Sequence, residues 1–176
     1  MKLPQLHEQK MYELLIPHKE HIKKVLNIGF VNLPDASVRV INALGINSEF
    51  THLEIFETNF NSGKKQYPHH NFVLGDVRNI KNLLKDKFDL IVWWHGPEHI
   101  YEHELISTIA AIETLSNENG VIILGSPNGW QEQYGLDGNI HNDHVSGPDS
   151  DFYQNIGYES HVVNVPPLAI VAYKVI

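Results

Sequence analysis

Apolar residues in this chain fall into short unbroken runs, and between the runs they recur every three to four positions, so strand-like and helix-like segments alternate. Residues 24–30, 51–56, 70–74, 88–94, 121–124, 158–165 and 168–175 read as seven strands. Helical spacing marks 2–21, 35–44, 80–84, 98–115 and 150–156, with Ile100, Leu105, Ile109, Ile112 and Leu115 forming the buried stripe of the longest. Gly45 is placed to stop one helix, and Asn119-Gly120 to separate the longest helix from the fifth strand.

The most apolar run, Phe88-Asp89-Leu90-Ile91-Val92-Trp93-Trp94, has the pattern of a strand buried on both faces at the centre of a parallel sheet. It breaks at His95-Gly96-Pro97 and delivers Glu98 and His99 immediately afterwards, where ligands bind in open α/β sheets. Alternation of β and α predicts a doubly wound, Rossmann-like α/β fold of three layers, α/β/α, around a mostly parallel seven-stranded sheet. The Pro166-Pro167 turn joins the last two strands closely enough to make them an antiparallel hairpin. One domain is expected over 1–176, with 1–23 as a helical cap and 24–176 as the core. Residues 126–150, rich in Gly, Asn, Asp and Pro, read as a long loop, of a kind that in a compact domain is usually functional or disordered.

With 13 Lys and Arg against 21 Asp and Glu, the formal net charge is −8, which opposes attraction to nucleic acid or anionic lipid. The chain has no cysteine, which excludes disulfides, thiolate metal sites and thiol nucleophiles. It also lacks the apolar core of a signal peptide and any stretch long enough to cross a bilayer. A cytoplasmic protein that meets a small-molecule substrate, as a monomer or homodimer, is the expectation.

Three positions in order carry more specific information. Asn27-Ile28-Gly29-Phe30-Val31-Asn32 is a turn after the first strand, Leu53-Glu54-Ile55-Phe56 ends the second strand in an acid, and Leu74-Gly75-Asp76-Val77 places another acid after the third. Later come Ser126-Pro127-Asn128-Gly129-Trp130, Gly138-Asn139, His144-Val145-Ser146, Asp151-Phe152 and Ile156-Gly157-Tyr158. Together with Glu98-His99, this order resembles the class I S-adenosylmethionine-dependent methyltransferases, in particular small bacterial ones acting on small-molecule or glycan-related acceptors. The resemblance implies S-adenosylmethionine as cofactor. It places Asn27, Gly29 and Phe30 under the methionine part, Glu54 and Ile55 at the ribose, and Asp76 and Val77 at the adenine, with His95 and Glu98 completing the pocket. An acceptor would then arrive between residues 95–99 and 128–144, and His99, His95 or His144 would serve as base, imidazole being poised near neutral pH.

Other readings compete with this one. His95-Gly96-Pro97-Glu98-His99 fits the H-x-x-E-H spelling of an inverted zinc protease, but Gly-Pro breaks the helix that chemistry requires. His141-Asn142-Asp143-His144 could ligate a divalent ion, yet such clusters in polar loops are usually solvated, and no metal ligand is assigned. His18, His21, His69 and His70 read as surface residues, and Trp130 as an acceptor contact. A nicotinamide enzyme is disfavoured because G-x-G-x-x-G is absent. The non-enzymatic alternative is a methyltransferase-fold binding protein with a degenerate cofactor turn, motivated by Asn27, Val31 and Leu33.

Overall fold

A computed structural model describes residues 5–135, 139–164 and 168–176. The apolar runs become seven strands: β1 (Lys24–Ile28), β2 (Glu49–Glu54), β3 (Asn71–Leu74), β4 (Phe88–Trp94), β5 (Ser116–Pro127), β6 (Glu159–Val163) and β7 (Ala169–Val175). The helices are α1 (Leu6–Leu15), α2 (Ala36–Leu44), α3 (Glu57–Gln66), α4 (Ile80–Leu83), α5 (Glu102–Glu113) and α6 (Ser150–Asn155). The strands form one sheet in the order β3-β2-β1-β4-β5-β7-β6. Its first five strands are mutually parallel, and β7 runs antiparallel to both β5 and β6. The expected α/β/α fold with a terminal antiparallel hairpin is therefore present; the Pro166-Pro167 turn itself, like Gly138, lies outside the described residues.

Both faces of the sheet are covered, which explains why β4 is apolar without alternation. On one face Trp93, Ile91, Leu26 and Leu124 pack under Ile80 of α4, Leu105, Ile109 and Ile112 of α5 and Tyr153 of α6. On the other, Val25, Leu90, Val92 and Ile123 meet Met11 and Leu15 of α1 and Val38 and Ile41 of α2. Local signals set the limits of α2: Asp35 accepts from the Val38 N–H at 3.0 Å, and Gly45 ends the helix at φ 70°.

Several boundaries differ from the sequence expectation. The segment 57–66 forms α3, although Asn, Ser and Gly give it little helix propensity; Gly63 has no side chain and so lets it press against Phe30 and Phe72. The helix expected over 98–115 begins only at Glu102. Pro97 starts a separate 3-10 turn, Pro97–His99, closed by the Ile100 N–H on the Pro97 carbonyl at 3.1 Å, and Ile100 then turns extended to bury its side chain. Glu98 is therefore not a first-turn acid of a long helix. Asn119-Gly120 falls inside β5 rather than before it.

A polar seam crosses the sheet beneath α2 and α3. The Asn27 side chain donates to Asp35 Oδ2 at 2.7 Å and lies 3.3 Å from His52 Nδ1, and His52 Nε2 is 2.9 Å from His70 Nδ1. His70, expected on the surface, is thus half-buried and stacks on Phe50, His52 and Tyr67. His18 likewise meets the Tyr173 hydroxyl at 2.6 Å, whereas His21 and His69 are exposed. Burial, and then the neighbouring His70, hold His52 down to about 3. The unfolded chain takes up this proton near pH 6.5 and the folded one resists it, so stability is lost as pH falls from there towards 3. Between about pH 7 and pH 5 this one group should cost about 2 kcal/mol. Urea unfolding at the two pH values should show that drop in the wild type and a smaller one in His52→Phe; equal drops would refute the assignment.

Candidate functional site

Where the strand order reverses, between β1 and β4, the carboxyl ends of the central strands open a crevice. It holds a cavity of about 550 Å³, a volume suited to a nucleoside-sized ligand. Among the residues expected at a cofactor, Gly29, Phe30, Glu54, Ile55, Asp76, Val77 and His95 line it. Of the expected bases, His95 and His99 line it as well.

The turn after β1 forms one wall. Gly29 adopts φ 73°, a conformation that favours glycine, and a Cβ placed there would meet nothing within 4 Å, so its backbone presents open space to a ligand. Glu54, only 2% exposed at the end of β2, accepts from the Phe30 N–H through Oε2 and from the Phe56 N–H through Oε1, both at 2.8 Å. Burial pushes the Glu54 carboxyl up, and these backbone N–H groups oppose the shift. The Asn59 side chain and the Ile55 N–H add to that opposition, and the carboxylate faces the cavity. Asp76 follows β3 and is gripped by Arg78, which donates to Oδ1 from its backbone N–H at 2.9 Å and to Oδ2 from Nε at 2.9 Å. Partial burial pushes its carboxyl up, but the Arg78 hydrogen bonds and charge outweigh this and leave it below the usual range.

The opposite wall is built at the end of β4. His95 takes φ 51°, a strained left-handed conformation for a residue with a Cβ, held by its N–H on the Gly125 carbonyl at 2.9 Å. Its ring is about half exposed, and Nδ1 lies 3.2 Å from Glu98 Oε1. His99 Nδ1 donates to the Asp143 carbonyl at 2.9 Å, which fixes the ring against the long loop. From that loop a 3-10 turn, Ile140–Asn142, puts His141 and Asn142 into the cavity lining.

Four residues expected at the site stand elsewhere. Asn27 is fully buried behind the turn, committed to Asp35 and His52. Glu98 and His144 lie behind the wall rather than on it, at 2% and 9% exposure. Trp130 is 61% exposed and does not line the cavity.

The sequence reading missed the contribution of α1. His7 lines the cavity, stacks on Trp94 with ring centroids 4.6 Å apart, and faces His95 edge-on at 6.3 Å. Burial holds it down to about 4, helped by the charges of His95 and Arg39. Beside it Arg39 of α2, also in the lining, pairs with the fully buried carboxylate of Glu8. His7 and Glu8 precede the first strand, and nothing local to Leu6–Leu15 marks them.

No protein-family model matches the sequence, and no curated protein matches it. Solved structures match its fold. The N-methyltransferase NodS of Bradyrhizobium japonicum WM9, in complex with S-adenosyl-L-homocysteine, is 11% identical at a TM-score of 0.67 over 98% of this chain and 88% of its own. Magnesium protoporphyrin IX methyltransferase from Synechocystis is 12% identical at 0.65, over 96% of this chain and 83% of its own. An O-methyltransferase family protein from Burkholderia thailandensis is 7% identical at 0.65, and this chain spans 56% of its length. The chain thus shares the fold of these methyltransferase structures. Among the described residues no helix is long and apolar enough to cross a membrane.

Trp94 carries His7 and is itself wedged against β5. A Cβ on Gly125 would fall 1.8 Å from Trp94 Cε3. Gly125→Ala should therefore displace the indole, lower stability by about 1–3 kcal/mol in urea unfolding and alter tryptophan emission. An unchanged midpoint and spectrum would show that the wall is not packed in this way.

Proposed function

We propose that the protein is an S-adenosylmethionine-dependent methyltransferase of a small-molecule acceptor. The observation that carries this reading is Glu54: a buried carboxylate at the end of β2, opening into the cavity beside the bare backbone of Gly29. A carboxylate there can accept from both hydroxyls of a ribose, while Gly29 lets the methionine part approach the backbone. Asp76 and Val77 stand where an adenine would end, with Val77 available through its N–H. Arg78 competes for the Asp76 carboxylate, so the purine amino group meets an acceptor that already has a cationic partner.

The acceptor side is then the wall formed by His7, Trp94, His95 and His99, closed by His141 and Asn142. Methyl transfer is a direct displacement: the acceptor lone pair attacks the sulfonium methyl carbon as the carbon–sulfur bond breaks towards sulfur. Alignment of three atoms supplies most of such acceleration, and a cavity walled by rigid strand ends provides it. For a hydroxyl acceptor, His95 and His99 are the imidazoles within the cavity able to take the proton. His144 acts through its contact with His99, with ring centroids 5.1 Å apart.

Calorimetric titration with S-adenosylhomocysteine should show one site per chain. Glu54→Ala should weaken it at least tenfold, about 1.4 kcal/mol or more, with the fold checked by circular dichroism. No binding to the wild type at millimolar ligand would sink the proposal.

A further inference from the structure

Glu98, His99 and His144 come together although the last two stand 45 positions apart in the chain, and each offers one ligand atom within 4.8 Å of the others. The backbone brings them there. The Glu98 carbonyl accepts from the Val145 and Ser146 N–H groups at 2.9 and 3.1 Å, and the Ser146 hydroxyl donates to the Pro97 carbonyl at 3.1 Å. The long loop is thus clamped onto the turn after β4.

The hydrogen bonds leave one nitrogen of each ring and one carboxylate oxygen uncommitted. A carbonyl only accepts, so His99 Nδ1 must donate to Asp143 and His144 Nδ1 to Gln131, the latter at 2.8 Å. Each ring keeps its Nε2 lone pair, in the orientation that backbone carbonyls impose on metal-binding histidines. On Glu98, His95 takes Oε1, while Oε2 is buried without a hydrogen-bond partner. A buried carboxylate oxygen with no partner is costly, and a cation relieves that cost.

We propose that Glu98, His99 and His144 form a binding site for a divalent first-row transition-metal ion on the acceptor side of the cavity. Two imidazoles and one carboxylate favour such an ion over magnesium or calcium, which prefer all-oxygen sites. Bonds of about 2.0–2.2 Å would draw the three ligand atoms closer by roughly 1 Å, within the reach of side-chain rotation. Three protein ligands leave coordination positions open. Because His99 lines the cavity while Glu98 and His144 lie behind it, the ion would sit in the wall itself, reached from the acceptor side past His99.

Resting on the methyl-transfer reading, the ion's use follows: it binds an acceptor hydroxyl and lowers the pKa of that group. The O–H proton passes to a cavity imidazole such as His95. The oxygen then forms the new bond to the methyl carbon, and the carbon–sulfur pair leaves to sulfur as a neutral thioether.

The test uses untagged, chelator-stripped protein titrated with Co(II) in visible absorption and with Zn(II) and Mn(II) in calorimetry. One ion per chain is expected. Glu98→Gln and His144→Ala, each checked for folding, should weaken it by at least the roughly 10–100-fold that losing even a supporting group costs. The exposed His69→Ala should bind as wild type does. Absence of a stoichiometric ion in the wild type, or binding that survives in either folded variant, overturns the site. Titrating S-adenosylhomocysteine into the same stripped wild-type protein separates the two proposals: nucleoside binding without an ion removes only the metal site, and an ion without nucleoside binding removes only the methyl-transfer reading.

Discussion

The pairing of β1 with β4 is the contact on which the rest depends. Val25 opposite Leu90, Leu26 opposite Ile91 and Ile28 opposite Trp93 bring together two strands far apart in sequence. Parallel neighbours need long crossovers, so everything from α2 to α4 must loop out and return before β4 can be laid down. The chain then winds to the other side, and the turns after β1 and β4 diverge. That divergence is the cavity. Its walls are largely apolar, with Glu54, Asp76, His95 and His99 placed among them where strands end, and its depth comes from the apolar sheet below.

Two carboxylates show how one buried group can serve the fold, a ligand, or both. Glu54 satisfies two backbone N–H groups and thereby ties the turn after β1 to the start of α3, yet it still faces the cavity. Glu98 is equally buried but satisfies little: one oxygen meets His95 and the other meets nothing. The first arrangement is complete as it stands and open to a ligand in addition. The second is incomplete, which distinguishes it from an ordinary structural acid.

How much of this the sequence disclosed depends on the range of the interactions concerned. β4 was legible to the residue because burial on both faces writes an unbroken apolar run, and α2 was legible because Asp35 and Gly45 cap it locally. α3 was not, since its ten residues are weak helix formers held by Phe30 and Phe72 from elsewhere in the chain. The start of α5 was misplaced because spacing from Ile100 onwards fits a helix, whereas Pro97 closes a turn first and releases Ile100 into an extended conformation.

The site divides along the same line. Gly29, Glu54 and Asp76 follow strands, so their order along the chain translates directly into position around the crevice. His7, Arg39 and the grouping of His144 with Glu98 follow from packing between segments with no local mark. His7 enters only because α1 lies across α2 and stacks a ring on Trp94, and its partner Trp94 is placed by alternation along β4. The half of the cavity proposed for the cofactor is thus built from strand ends, and the half proposed for the acceptor from the end of β4 with α1 and residues 139–144 laid over it. On the proposed reading, changes in α1 or in residues 139–144 alter which acceptor fits while leaving the turn at Gly29 and the Glu54 carboxylate in place.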